Sequence, residues 1–523
     1  MNTVGEVLRL RACDTRDHTF LVCDDERLTY REAFEESRRL AKGLIAAGAG
    51  HGSHIGLLMP NGADFAIAAL AIARIGAVVI PMSTMSTAAE LHALLDGSDT
   101  EYLLAVSAYR SKAFDRLLEE AVGLDPRTRT QLESPAAPAL RQVFFIGEND
   151  WPGPASGDEL LAATEADVRP CDDLVIVHTS GSTSAPKGVV HTHGGLLGHL
   201  RVLNQMRDYR PTEVLFSNSP FFWIGGFAYT FLATLLAGAT LVCSRAADPA
   251  QVLDVIERER PTMVNGYASS IAALAADPSF AGRDLSSIRR GNLYPIMPES
   301  VRPADPQLRP SMLGLTEGGS VVLAGSDEAD LPESRRGSFG RPVPGYQARV
   351  VDRSTGQDCP PGVGGELWLR GPALMRGYYG VERSAAFDED GWFHTGDLVR
   401  TDEAGHWYFL GRGDDLIKTA GANVSPAEVQ DAILTATGLP SYVLGLPDCE
   451  RGQIVAAVLV VDGGAAPDTA RLRSGLAPLL SPYKIPRVVR AVPVAAVPLR
   501  SSGKVDLTRL AELFDDHWPD DDH

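Results

Sequence analysis

Cysteine is scarce and scattered. The six thiols, Cys13, Cys23, Cys171, Cys243, Cys359 and Cys449, form no CxxC pair and no metal-ligand spacing. That excludes a disulfide-stapled or cysteine–zinc fold and reads as free thiols in a reducing cytoplasm. Positive charge is also short, with 48 Lys and Arg against 67 Asp and Glu, a formal net charge of −19. Such a chain is a poor partner for nucleic acid or an anionic membrane, and an anionic ligand needs a locally basic site. Long apolar runs are missing. The most apolar stretch, Phe65 to Pro81, contains Arg74 and ends at proline, so stable membrane insertion is not expected. Met1 to Arg11 lacks a basic start followed by an apolar core, so no signal peptide is expected either. There is no repeat and no low-complexity tract.

What is there is the composition of a soluble globular protein, 44% hydrophobic and 22% charged over 523 residues, long enough for two or three domains. Alternation of strands and helices dominates the first half. Thr29 and Glu32 form a capping-box pattern before an amphipathic helix that ends near Gly48. A strand (54–59), a helix (63–75) and a strand (77–80) then make a βαβ unit, hence a parallel sheet. Thr87 and Glu90 make a second capping box, and residues 102–106 another strand. Residues 124–170, rich in Pro, Ala, Glu and Asp, read as a surface excursion. Helices over 227–236 and 249–259 and strands over 240–243 and 263–265 resume the alternation. From about Arg336 short strands and turns suggest a β-rich subdomain, and from Gly411 a compact α+β segment runs to the end.

The stretch from Cys171 to Leu197 organises the rest. A buried strand (174–177) opens into a hydroxyl-rich loop, Thr179-Ser180-Gly181-Ser182-Thr183-Ser184, that closes at Lys187-Gly188. Small residues let successive backbone N–H groups turn inward as an anion nest, hydroxyls add donors, and Lys187 adds a point charge. The pattern is not the usual phosphate loop, because Pro186 precedes the lysine and Gly188 follows it. The order Thr-Ser-Gly-Ser-Thr-x-x-Pro-Lys-Gly resembles the signature loop of the adenylate-forming superfamily: acyl- and aryl-CoA synthetases, peptide-synthetase adenylation domains and luciferases. Ser184 departs from the glycine usual there.

Further motifs follow in that superfamily's order. Ser311 to Gly318 resembles its Tyr-Gly-x-Thr-Glu motif, which implies Thr316 at the α-phosphate and Glu317 as ligand of Mg²⁺, a cation that prefers carboxylate oxygen. Gly391 to Asp397 resembles the motif whose aspartate accepts hydrogen bonds from both ribose hydroxyls, a role for Asp397. Gly411 to Lys418 resembles the domain junction, with Arg412 on ribose and Asp414 as hinge. Pro498 to Asp506 resembles the loop of the catalytic lysine, here Lys504. Its ammonium would offset the repulsion between a carboxylate and the α-phosphate it attacks.

The resemblance implies an α/β fold: a large N-terminal part (1–411) of α/β layers with a β-rich subdomain at about 336–411. A small mobile α+β C-terminal domain (412–523) would complete it. It also implies an acid–CoA ligase that uses ATP, Mg²⁺ and coenzyme A. Thr419 to Pro426 resembles the pantetheine-tunnel loop, with Gly421 in it. No insertion of the kind found in carrier-protein-loading acyl-AMP ligases precedes the C-terminal part. Loading of a carrier protein, or a non-catalytic nucleotide-binding role, are the alternatives, and self-association into a homodimer is left open.

The small-molecule acid is expected to be apolar, because Pro220 to Gly226 lacks the aspartate that meets an amino acid's ammonium. Trp223, Gly225, Leu293 and Gly314 are the expected pocket residues. Trp223 replaces a usual histidine, Leu313 the adenine-stacking tyrosine, and Asn292-Leu293-Tyr294-Pro295 the usual Gly-Gly-Ala-Pro. Tyr294 is therefore expected either to stack on adenine or to enter the acyl channel. His191 and His193 read as a polar strand end and not as a metal site.

Overall fold

A computed structural model describes residues 2–128, 131–147, 152, 157–179, 187–266, 271–325, 330–412, 417–419, 422–424, 426–448, 451–461, 468–477, 479–480, 484–500 and 505–517. The chain divides into two compact units. One comprises Met1–Gln347 with Arg370–Trp392, the other Ala348–Leu369 with Phe393–His523. No helix among the described residues is long and apolar enough to cross a membrane.

The first unit carries two large sheets. The seven-stranded sheet runs in the order Gly377–Tyr378, Lys187–Thr192, Asp173–Thr179, Val78–Pro81, His54–Leu58, Tyr102–Ala105, Gln142–Phe145. Its last five strands are parallel. The first two join antiparallel, each to the next. Strands such as Val78–Pro81 and Tyr102–Ala105 are buried at every position, as expected when helices cover both faces of a parallel sheet. The second, six-stranded sheet runs Arg290–Gly291, Met263–Asn265, Val214–Ser217, Thr240–Cys243, Thr19–Cys23, Glu26–Thr29.

The two expected capping boxes form. Thr29 and Thr87 each accept from the backbone N–H three residues on, and Glu32 and Glu90 reach back. Two expectations need correction. Residues 124–170 are not merely a surface excursion, because Gln142–Phe145 pairs in parallel with Tyr102–Ala105. Leu132, Leu140, Val143 and Phe145 join the same buried cluster. The apolar run is short, and the composition around it hid it. The helix expected over 227–236 opens as a π-helix over Gly225–Leu232 before a short α-turn, Ala233–Ala237. Gly226 permits it, since a Cβ there would stand 1.9 Å from the Pro220 carbonyl oxygen. Such wide turns occur mostly where function needs them.

The second unit begins with a four-stranded sheet, Gln347–Val351, Gly365–Arg370, Phe393–Thr401 and Trp407–Arg412. The chain leaves this sheet at Arg370 and returns at Phe393, so residues 370–392 belong to the first unit. Beyond it lies the α+β segment, with strands Ser441–Asp448, Gly452–Val460 and Val488–Val492 and helices Pro426–Thr437 and Thr469–Leu476. Val429, Ile433, Val455, Leu459, Leu472 and Leu476 pack into its core.

Candidate active site

The strand from Asp173 pairs residue by residue with the strand from Lys187, Thr179 facing Lys187 and His178 facing Gly188. This hairpin holds the two ends of the expected phosphate loop together. Of that loop Thr179 and Lys187 are described, whereas Ser180, Gly181, Ser182, Thr183 and Ser184 lie outside the described residues. Lys187 is exposed, and its ammonium sits 5.1 Å from the centre of the Tyr378 ring. Tyr378 occupies the sheet edge opposite Val189, and its hydroxyl donates to Glu317 Oε1 at 2.8 Å. One aromatic side chain thus joins the lysine of the hairpin to the acid of the Thr-Glu motif.

Thr316–Gly318 is a single 3-10 turn after the strand Leu313–Leu315. The Glu317 carbonyl accepts from Met375 N at 2.8 Å. The Thr316 carbonyl lies 2.7 Å from His191 Nε2. A carbonyl can only accept, so Nε2 carries a proton, and burial makes the neutral form the one present. Its pKa is held at about 4. His193 is equally buried, and its Nδ1 accepts from Val4 N at 3.2 Å. The two histidines do lie at a strand end, His191 in the strand Lys187–Thr192 and His193 at the start of the next helix, with both rings buried. No cluster of three or more metal-ligating side chains occurs among the described residues.

In the second unit Asp397 is buried and pairs in register with Arg412 across the strands Phe393–Thr401 and Trp407–Arg412. Thr395 Oγ1 donates to the Leu367 carbonyl and accepts from Asp397 N. Gly396, at φ 76°, turns its N–H onto Glu366 Oε1 at 2.8 Å, while Trp368 Nε1 donates to Oε2 at 3.2 Å. Glu366 is buried and fixes the turn that presents Asp397. Asp414, Gly421 and Lys504 lie outside the described residues.

The expected pocket residues scatter. Trp223 lies two residues before the π-helix and Gly225 begins it, both half-buried. Gly314 is exposed, and Leu313 is buried. Leu293 has no exposure and packs in the core with Phe216, Val264 and Ile296. Tyr294 is half-buried and lines a cavity of about 340 Å³, shared with Arg207, Tyr229, Asn292, Met312 and Val321. In this lining Asn292 and Met312 adjoin the expected Leu293 and Leu313, and Tyr294 is itself expected.

Sequence reasoning missed Tyr378, Glu366 and the role of His191. The Gly-Tyr pair at 377–378 after a proline-containing turn was the one available signal for the first, and the glutamate of Gly-Glu-Leu-Trp for the second.

Residues 8–379 match the family model described as AMP-binding enzyme. The chain belongs to that family. Among curated relatives of this AMP-binding enzyme, feruloyl-CoA synthase of Amycolatopsis sp. is 32% identical, aligned over 91% of this chain and 92% of its own. The putative acyl-CoA synthetase YngI of Bacillus subtilis is 28% identical over 98% and 97%. Among solved structures, an anthranilate CoA ligase, AuaEII, in complex with anthranoyl-AMP superposes with a TM-score of 0.82 at 24% identity, covering 98% of this chain and 97% of that one. At that identity the likeness shows the fold.

Proposed function

We infer that this AMP-binding enzyme is an ATP-dependent acid–CoA ligase. It joins a carboxylic acid to ATP as an acyl adenylate with release of pyrophosphate, then passes the acyl group to the thiol of coenzyme A. The observation that carries the reading is the line Lys187–Tyr378–Glu317, which sets a cation and a carboxylate on one aromatic side chain, the cation being the residue that closes the hydroxyl-rich stretch in sequence.

Glu317 suits Mg²⁺. Among the described residues its carboxylate takes one hydrogen bond, at Oε1, and Oε2 would serve a hard cation. Bound there, the ion would neutralise phosphate charge as the α-phosphate is attacked. Lys187 adds charge for the phosphates, Thr316 donates to the α-phosphate, and Asp397 with Arg412 takes the ribose hydroxyls. Lys504 offsets the charge of the incoming carboxylate. Gly421 belongs to the loop assigned to the pantetheine arm, and Asp414 to the hinge between the two half-reactions. A reducing cytoplasm fits the free thiols of Cys13, Cys23, Cys171, Cys243 and Cys359.

The test is incubation with ATP, Mg²⁺, CoA and a panel of acids, with mass detection of AMP and thioesters. AMP and a CoA thioester with at least one acid are expected. Adenylate without thioester would move the acceptor to a carrier protein, and no AMP with any acid would sink the reading.

A further inference from the structure

The turn Thr316–Gly318 is held by its backbone carbonyls, each tied to a distant part of the chain. Thr316 O meets His191 Nε2 at 2.7 Å and also accepts from Gly319 N at 2.9 Å. Glu317 O accepts from Met375 N at 2.8 Å. Gly318 O accepts from the Tyr346 hydroxyl at 2.7 Å. His191 lies in the strand Lys187–Thr192, Met375 in the segment 370–392, and Tyr346 just ahead of the strand Gln347–Val351. All three belong to the first unit, as the turn does.

The chain leaves this turn under strain. Gly319 follows at φ 66° and Ser320 at φ 149°, a value that residues with a side chain rarely adopt. Ser320 is buried, and its hydroxyl meets no partner among the described residues. Nor is there slack around it. A Cβ on Gly318 would stand 2.3 Å from Val322 Cγ1, and one on Gly319 3.0 Å from Leu196 Cδ1. Strain of this kind persists only where the surroundings over-determine it, and it gathers where function needs a fixed geometry. The ties on the three carbonyls supply that constraint.

Tyr346 is the one tie whose chemistry can be removed without changing the packing. Its ring is buried and stands edge-on to His199, centres 5.3 Å apart at 81°. Phenylalanine would fill the same space, so the hydroxyl is what serves the Gly318 carbonyl. Burial raises the pKa of the phenol, which therefore keeps its proton and stays a donor.

We propose that Tyr346 is a positioning residue for adenylate formation: its hydroxyl, through the Gly318 carbonyl, fixes the turn that offers Thr316 to the α-phosphate and Glu317 to Mg²⁺. The inference rests on the acid–CoA ligase reading. Tyr378 orients the Glu317 carboxylate, and Tyr346 the backbone that carries it. Without the hydroxyl the Gly318 peptide is free to rotate and relieve Ser320, which displaces Glu317, and misplaced reacting groups lose rate steeply.

The experiment compares Tyr346→Phe with a matched control, Tyr30→Phe. Tyr30 is fully buried, and its hydroxyl likewise donates to a backbone carbonyl, that of Ala239, at 2.8 Å. Pyrophosphate release is measured with an acid that the wild type turns over, and thioester formation with the supplied adenylate of that acid. Calorimetry gives the Kd of α,β-methylene-ATP in the presence of Mg²⁺. Tyr346→Phe is expected to lower kcat/KM for pyrophosphate release by roughly tenfold, the scale of one hydrogen bond lost. The Kd should weaken several-fold, while thioester formation stays near the wild-type rate, since no phosphate is attacked in that step. Tyr30→Phe should alter none of the three, whatever it does to the urea midpoint. Unchanged pyrophosphate release in Tyr346→Phe, equal loss in both half-reactions, or the same losses in Tyr30→Phe overturns the proposal. Should Tyr346→Phe fail to fold, Ser320→Gly removes the strained φ and the unpaired hydroxyl and provides the background for both tyrosine variants. Failure to fold even there also overturns it, because the hydroxyl would then serve the fold. A wild type that makes AMP from no acid sinks the ligase reading, whereas an active wild type with an unaffected Tyr346→Phe sinks this inference alone.

Discussion

The surroundings of Glu317 and of Asp397 are built in opposite ways. Glu317 sits in a short turn tied down from afar. Tyr378, 61 residues on, holds its carboxylate, and His191, 125 residues back from Thr316, holds the neighbouring carbonyl. Asp397 sits in a strand whose register and turn do the positioning, through Thr395 two residues away and Glu366 on the adjacent strand. Distant ties make the first arrangement sensitive to single side chains at the chemistry with little effect on folding. Local register makes the second part of its sheet, so disturbing it costs stability before it costs rate.

Substitutions can break or sharpen that contrast. Lys504→Ala sets the scale. Removing a charge aimed at the transition state is expected to lower adenylate formation by about a thousandfold. Thioester formation from supplied acyl-AMP is expected to survive, and equal loss in both half-reactions, followed by pyrophosphate release and thiol consumption, would reject the assignment.

Tyr378→Phe comes next. A hydrogen bond to a charged group contributes about 1.5–3 kcal/mol, so kcat/KM is expected to fall roughly ten- to a hundredfold. The Mg²⁺ concentration for half-maximal rate should rise while the melting temperature stays put. A lower melting temperature with an unchanged Mg²⁺ requirement would make Tyr378 merely structural.

Glu366→Ala should behave the other way. It strands the half-buried Gly396 N–H, a loss of about 1–3 kcal/mol of stability, with ATP KM raised and kcat little changed. Urea unfolding and ATP titration check this, and a stable variant with low kcat would erase the distinction between the two regions.

His191 gives the smallest effect at neutral pH. Its ordinary pKa of about 6.5 is held at about 4 in the fold, so the unfolded chain binds a proton first as pH falls. Stability is complete above pH 6.5 and is lost between there and pH 4, by up to about 1.4 kcal/mol per pH unit for this one group. His191→Gln should flatten the acid-side slope of the urea midpoint by that amount. An identical slope would place the protonation elsewhere.

Much of the fold was legible because its cues are local. Thr29 and Glu32 are three residues apart, and the strands at 54–58 and 78–81 announce themselves by composition and by the helix between them. The strand at 174–177 and the hydroxyl run after it were equally plain, whereas the antiparallel return of Lys187–Thr192 along that strand was not read. What escaped depends on distant partners. Tyr378 is one tyrosine among 13 until its strand is laid beside Val189. Glu366 looks like any polar residue of an alternating strand until Gly396 turns toward it. His191 was weighed as a metal ligand because it is followed so closely by His193, whereas its partner is a backbone carbonyl that no side-chain pattern encodes. The short strand Gln142–Phe145 was lost to its proline- and acid-rich flanks.

The return of residues 370–392 to the first unit sets a timetable for a chain made from its N-terminus. The strand Lys187–Thr192 leaves the ribosome long before Gly377–Tyr378, which covers its outer edge. At ordinary elongation rates the delay is on the order of 10–40 s. For that time a nearly complete sheet, with its apolar helices docked, shows an unpaired border to every other nascent chain. A ribosome stalled anywhere in that interval would release a molecule that has most of its core and an adhesive side.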